Sequence, residues 1–328
     1  MSNVTGIGTS WNLPNYAGEL FTASPTQTPF LSMAGGLSGG RVSQADVFTT
    51  GQLFELPTPK QPAISENASV TAPTPTAIAR TQLDNVTQIH QETIQLTYAK
   101  QANFGKLEGL NLSGQLANPS NDLDWQVQRR LEVIARDVEY SFLRGVYAKA
   151  TNAGQPNTTR GMIELCAGGT TIDAGSAALT KAMLNQIYRE MADNGARFGN
   201  MVAFCGSYIK QVLTDIYVTL PGAQLPPTRT VGGVAVDTVI TDFFQMGIVW
   251  NPHMPPDTIL IADMSFVAPV FQVIPHPEAD NPRVAKGVLF LEALAKTGAS
   301  TAYQLYGQIG LDHGPTFLHS TITGLLVA

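Results

Sequence analysis

The first 106 residues carry many large apolar side chains and no segment able to bury them on its own. In residues 1–45, Pro14, Pro25 and Pro29 with Gly35, Gly36, Gly39 and Gly40 break any long helix and fill the stretch with turns. The same stretch holds Trp11, Leu13, Tyr16, Leu20, Phe21, Phe30 and Leu31. An irregular arm with so many apolar groups has to lie on something, its own body or a neighbour's. Trp11, Tyr16, Phe21 and Phe30 are its expected contact residues. Residues 46–106 then read as a long two-stranded excursion. Its returning strand alternates Ile94, Leu96 and Tyr98 with Thr93, Gln95 and Thr97, the period of a half-covered strand. The outgoing strand, Val47 to Leu56, alternates less cleanly, and a tip rich in Pro, Ala and Thr runs from Pro57 to Pro75 between them. A lone hairpin is marginally stable in water, and its unpaired edges invite pairing with another chain. Arm and hairpin together predict a subunit that interlocks with copies of itself.

The composition agrees. Of the 328 residues, 44% are apolar and 13% charged, about half the charged share of an ordinary soluble domain. A disordered, highly charged tail protein is thereby excluded. The formal net charge of −6 argues against a dedicated nucleic-acid binder, which should be basic. Contact with nucleic acid is expected to be weak and independent of sequence. Two cysteines, Cys166 and Cys205, make neither a disulfide scaffold nor a zinc site, and both are expected to be buried as small hydrophobes. The N-terminus lacks a basic start followed by an apolar run, so no secretory leader is expected. The longest apolar stretch, residues 258–274, is interrupted by Asp263 and Pro269, whereas a bilayer span takes about 20 mostly apolar residues. No membrane partner is expected.

Residues 119–149 hold the strongest helical pattern. Ser120 suits an N-cap, and Asp122 and Asp124 lie in the first turn, where the helix dipole favours negative charge. Leu123, Val127, Leu131, Ile134, Val138, Phe142 and Val146 make one apolar stripe, with Arg129, Glu132, Arg136 and Glu139 assigned to the opposite face. Such a helix is roughly 40 Å long. After a Gly/Thr-rich break at 168–175 the pattern becomes mixed α/β. Thr180 opens a helix with Leu184, Ile187 and Met191 inward, closed by Asn194-Gly195. Met201–Cys205 is an apolar strand and Ser207–Tyr217 a second helix. Strands are expected at Val234–Thr241, Gly247–Trp250, Thr258–Ala262, Val288–Leu291, Ala302–Leu311 and His319–Val327.

Catalytic patterns are sparse. Gly36-Leu37-Ser38-Gly39-Gly40 contains a formal Gly-x-Ser-x-Gly, but a nucleophile elbow needs a strand before the serine and a helix after it, and no helix pattern follows. The stretch is read as a glycine-rich turn. No phosphate-binding glycine motif is present. Of the five histidines, His276-Pro277-Glu278 and Asp312-His313-Gly314 come nearest to ligand clusters, and neither has an adjacent third ligand. No catalytic residue, cofactor or metal is assigned.

The order of the pieces is apolar arm, long hairpin, long helix, α/β region and returning strands. It resembles the major capsid protein of tailed bacteriophages, an α+β shell fold shared with encapsulins and the herpesvirus capsid floor. Several strings are similar to one branch of that family. They are Leu13–Phe21 and Thr28–Met33 in the arm, Asn85–Ile89 on the returning strand, and Asp124–Val127 with Ala135–Tyr140 on the long helix. Thr159–Met162, Val231–Val234 and Leu294–Gly298 follow, so that the resemblance covers residues 11–325. It implies an arm at 1–45, an extended loop at 46–106 lying over a neighbouring subunit, and a peripheral domain at 107–175 with its spine helix at 119–149. An axial domain at 176–275 and returning peripheral strands at 276–328 complete the division. It further implies self-assembly as pentamers and hexamers into an icosahedral head that is part of the virion and forms in the host cytoplasm. The implied partners are copies of itself, a portal, scaffolding or decoration proteins, and packaged double-stranded DNA held non-specifically. A fused scaffolding domain ahead of the arm is not expected. Some relatives cross-link through Lys–Asn bonds; Lys60, Lys100 and Lys106 lie in or near the loop, but no local string marks one as a cross-linker. An encapsulin-type compartment is the alternative, and a soluble α/β hydrolase using Ser38 the remote one.

Overall fold

The computed structural model describes residues 26–37, 39–101, 122–218, 229–231, 234–274 and 288–327. Helix α1 (Pro29–Ala34) is followed by β1 (Arg41–Ser43), the pair β2 (Val47–Phe54) and β3 (Arg80–Val86), and β4 (Gln88–Thr97). The pair's tip carries one short helix, α2 (Glu66–Ser69), and α3 (Tyr98–Gln101) follows β4. Then come α4 (Asp122–Arg144), α5 (Met162–Ala167), β5 (Thr170–Asp173), α6 (Lys181–Asp193), β6 (Met201–Cys205) and α7 (Ser207–Val218). Strands β7 (Arg229–Val231), β8 (Val234–Ile240), β9 (Gln245–Trp250), β10 (Ile259–Asp263) and β11 (Ala268–Gln272) precede β12 (Leu289–Ala293), β13 (Ser300–Asp312) and β14 (Ser320–Thr323).

Two sheets form the body. The larger has the order β5-β14-β10-β6-β9-β8-β7. Its central strands read as unbroken apolar runs because both faces are covered. In β6, Val202 and Phe204 point to one apolar cluster, and Met201, Ala203 and Cys205 to the other. In β10, Leu260 and Ala262 oppose Ile259 and Ile261 in the same way. Helices α6 and α7 cover one face, through Leu184, Ile187, Met191, Ile209 and Leu213. On the other face α1, α4 and α5 lie between this sheet and a second one, in which β13 pairs with β4 along one edge and with β12 and β11 along the other, β1 extending β11.

Most of the expected α/β elements are present. Thr180 caps α6, its hydroxyl accepting from the Met183 N–H at 3.3 Å, and Gly195 ends it with φ +83°. Both cysteines are free and buried. Several expectations change. The Gly/Thr-rich break at 168–175 contains β5, whose parallel pairing with β14 supplies the sheet order that its short sequence does not advertise. The excursion is divided at Thr87. Only β3 returns against β2; Ile94 and Leu96 lie on β4, a body strand paired with β13 from Ser300 to Ile309, and Tyr98 has left the strand and is exposed. Strand β11 joins the sheet of β13, and β14 joins the larger sheet, so two strands cross the boundary drawn at 275/276.

Helix α4 ends at Arg144, so Val146 lies beyond it and is exposed; the described helix is about 35 Å long. Its end is dictated by close backbone approach. A Cβ on Gly145 would sit 2.4 Å from the Ser141 carbonyl oxygen and 2.5 Å from that of Thr159, and one on Gly161 would meet the Gly145 nitrogen at 2.6 Å. The chain leaves α4 and re-enters at α5 through a gap only glycine fits. Ser120 lies outside the described residues.

Candidate assembly surfaces and the seat of the arm

The apolar stripe of α4 is graded. Val138 and Phe142, with Ile134, are buried, whereas Leu123, Val127 and Leu131 are half-buried and pack at the margin of the same cluster. Of the four arm contacts, Trp11, Tyr16 and Phe21 lie outside the described residues, and Phe30 is fully buried. Its ring meets Phe142 edge-on at 6.5 Å and Phe204 at 5.2 Å, wedging α1 between α4 and the larger sheet. Aromatic pairs in this geometry contribute about 0.5–1.5 kcal/mol beyond their buried area.

Glu139 overturns one expectation outright. The helical pattern puts it on the polar face, yet it is completely buried. Its Oε1 accepts from the Phe30 N–H at 3.0 Å and from Asn251 Nδ2 at 2.6 Å; its Oε2 accepts from the Leu31 N–H at 2.6 Å. The first N–H groups of a helix have no partner inside it. Thr28 provides no side-chain cap to α1, and Glu139 serves in its place from 109 residues away along the chain. Asn251, also buried, donates to Glu139 and accepts from the His253 N–H at 2.9 Å. One carboxyl therefore ties together the arm, α4 and the turn after β9. Burial pushes it up to about 7 against the pull of the Leu31, Phe30 and Asn251 donors. The sequence signal was its place between Val138 and Phe142, on the flank of the stripe; the partners have no local signature.

A second buried carboxylate secures β1. Asp312 pairs with Arg41, and burial, opposed by that guanidinium, holds its carboxyl above the usual range. The Asp312-His313-Gly314 cluster is thus a packing feature. His313 Nδ1 donates to the Gly314 carbonyl at 2.7 Å, and burial lowers His313 and His319 to about 4, leaving both neutral. Among the described residues no three His, Cys, Asp or Glu side chains gather as a metal site. His276 and Ser38 lie outside the described residues. The elements flanking that serine are helix α1 before and strand β1 after, the reverse of a nucleophile elbow.

The hairpin leaves the body from a built base. Asn85, fully buried, donates through Nδ2 to the Leu311 carbonyl at 2.8 Å and accepts at Oδ1 from the Arg160 N–H at 2.8 Å. A Cβ on Gly310 would strike the Val86 carbonyl at 2.8 Å, so β13 approaches β3 closely there. Past Thr50 and Gly51, which are still buried, the latter against Gly314 and Pro315, the hairpin and its tip carry exposed apolar side chains. Phe54, Leu56, Ile64, Val70 and Ile78 are between 52% and 85% exposed. Lys60 stands exposed on the same tip, while the side chain of Lys100 and all of Lys106 lie outside what is described. Apolar groups gathered so densely on an outlying hairpin mark a contact surface.

A seated arm, an uncovered hairpin and two sheets sharing a long helix define a shell-building subunit with the fold of tailed-phage capsids. The chain belongs to the SU10 major capsid protein family, whose model matches residues 3–326, and it is a major capsid protein of tailed phages. The fold is similar to that of the cyanophage A-1(L) capsid, with TM-score 0.61 and 13% identity over 96% of this chain and 98% of that one. The capsid of cyanophage P-SCSP1u is similar with TM-score 0.56 and 14% identity over 98% and 96%. The SrpI encapsulin of Synechococcus elongatus PCC 7942 is similar with TM-score 0.56 and 11% identity over 94% and 92%. A search of curated protein sequences found no match.

Proposed function

We propose that this subunit assembles as pentamers and hexamers into an icosahedral head, formed in the host cytoplasm, that encloses double-stranded DNA. The observation that carries this is the exposed apolar hairpin on a chain that belongs end to end to a capsid family. In this proposal the hairpin lies over a neighbouring subunit, α4 is the spine of a peripheral domain, and the unit built on α6, α7 and β6 gathers around the symmetry axes. Each interface gains about 25 cal/mol per Å² of apolar area covered, less the costs of association. The protein's work is mechanical, and it carries out no catalysis. A portal, and scaffolding or decoration proteins, are further partners. The acidic balance suits a wall that must not grip its contents.

An encapsulin-type compartment has the same fold and different contents, so the test is of what the particles hold. Particles purified from a phage lysate and treated with nuclease are expected to release long protected double-stranded DNA. Particles that release a packaged protein and no DNA would replace this proposal with the compartment. A hydrolase would instead be a compact monomer or small oligomer whose activity dies in Ser38→Ala.

A further inference from the structure

We propose that Glu139 is a proton-controlled latch for the arm: with its carboxyl protonated α1 stays seated in the body, and ionisation loosens it. The geometry sets up such a latch. The carboxyl is fully buried, and what lies on it is the start of α1, whose Phe30 and Leu31 N–H groups point at its two oxygens. Lifting α1 away removes two of its three donors and opens the carboxyl to water. Asn251 holds the third position, so the seat also depends on the turn after β9. A proton on Oε2 leaves Oε1 to Phe30 and Asn251, so the neutral form keeps two of the three hydrogen bonds and sheds the cost of a buried charge.

The charged groups on neighbouring elements answer to other partners. Asp237 on β8 pairs with Lys210 at 3.2 Å, and Glu92 on β4 with Arg130 at 2.9 Å. Asp312 on β13 pairs with Arg41, and Glu164 on α5 accepts from the Tyr147 N–H at 2.6 Å. Helix α1 has no titratable side chain. His90 on β4 is held at about 4 by burial. On α4, Asp137 lies beside Arg136, burial raising its carboxyl against that guanidinium. His253 is lowered by burial and then by Arg136. What acts on Glu139 is burial against three donors.

The direction follows from linkage. Seated, the carboxyl titrates at about 7; released into water it returns to 4.5. Between those values the seated state binds more protons, so seating is strongest below the lower value and weakens as pH rises to the upper one. A separation of that size changes the seating equilibrium by at most about 300-fold.

The test is amide hydrogen exchange on the full-length protein across about pH 5 to 8, each rate divided by its intrinsic chemical rate. The α1 amides are expected to lose about 70-fold in protection between pH 5 and pH 8, while those of β6 do not follow. Glu139→Gln is expected to abolish the dependence. Asn251→Ala, which removes a donor whose bond is stronger to the ionised form and pulls the carboxyl down, is expected to move the midpoint upward. Unchanged α1 protection in the native protein, an equal loss in β6, or an unmoved midpoint in Asn251→Ala would each overturn the latch. So would a Glu139→Gln protein that titrates like the native one.

Discussion

Replacing Val138 by Asp places a second carboxyl beside Glu139 but without its donors. Val138 is fully buried in the cluster of Phe142, Phe204 and Leu260. Removing its side chain from that cluster forfeits about 1.5–3 kcal/mol. Glu139 shows what the site does to a charge: even with three hydrogen bonds its carboxyl is pushed up to about 7. An Asp lacking them stays neutral in the fold at pH 7, and holding it roughly 3 units above its ordinary value costs about 4 kcal/mol. The sum, about 6 kcal/mol, reaches the lower range of whole-domain stabilities, roughly 5–15 kcal/mol. The substituted subunit is expected to be mostly insoluble at neutral pH and to recover part of its stability near pH 4, where the unfolded chain is protonated too. Urea unfolding at both pH values, with Val138→Ala as a control losing about 1–2.5 kcal/mol, checks the figure. A Val138→Asp protein that unfolds within 1 kcal/mol of the native one at pH 7 would refute the packing of this helix face.

Four further outcomes are expected. Deleting residues 1–30 removes Phe30 from the core and one donor from Glu139, so it should lower subunit stability as well as abolish shell closure. Deleting only 1–25 keeps α1, and should leave the melting temperature within a few degrees while electron microscopy shows no closed particles; normal particles would make that part of the arm dispensable. Phe54→Ser with Leu56→Ser, on the uncovered hairpin, should change subunit stability by less than about 0.5 kcal/mol yet block assembly, measured by sedimentation. Burial pushes the Cys205 thiol up to about 12 and Cys166 higher still, so an alkylating reagent at pH 8 should label neither until the protein is unfolded, as mass spectrometry would report.

Where a segment's structure follows from its own periodicity, the sequence was enough. The stripe of α4 through Val138 and Phe142, the Thr180 cap and the two-faced run of β6 are all local patterns, and all are present. Pairing between distant segments was not legible. Ile94 and Leu96 alternate as a half-covered strand whichever strand lies beside them, and β13, about 200 residues on, is the one that does. Strand β5 is four residues long and depends on β14 for its place. Glu139 fails the local rule for a related reason. A charge next to an apolar stripe ordinarily faces water, and only a helix arriving from elsewhere, with its first N–H groups unpartnered, makes it an inward residue. The arm was expected to lie on its own body or a neighbour's; its described end, at Phe30 and Leu31, lies on its own.

The central claim is that this subunit closes into a shell through contacts it cannot make with itself. Electron microscopy of the purified protein, expressed alone and recovered from a lysate, tests it most directly. The account predicts uniform polyhedral particles, or pentamers and hexamers that convert to them. A protein that remains monomeric from both sources, with its neighbouring gene products supplied, would contradict it.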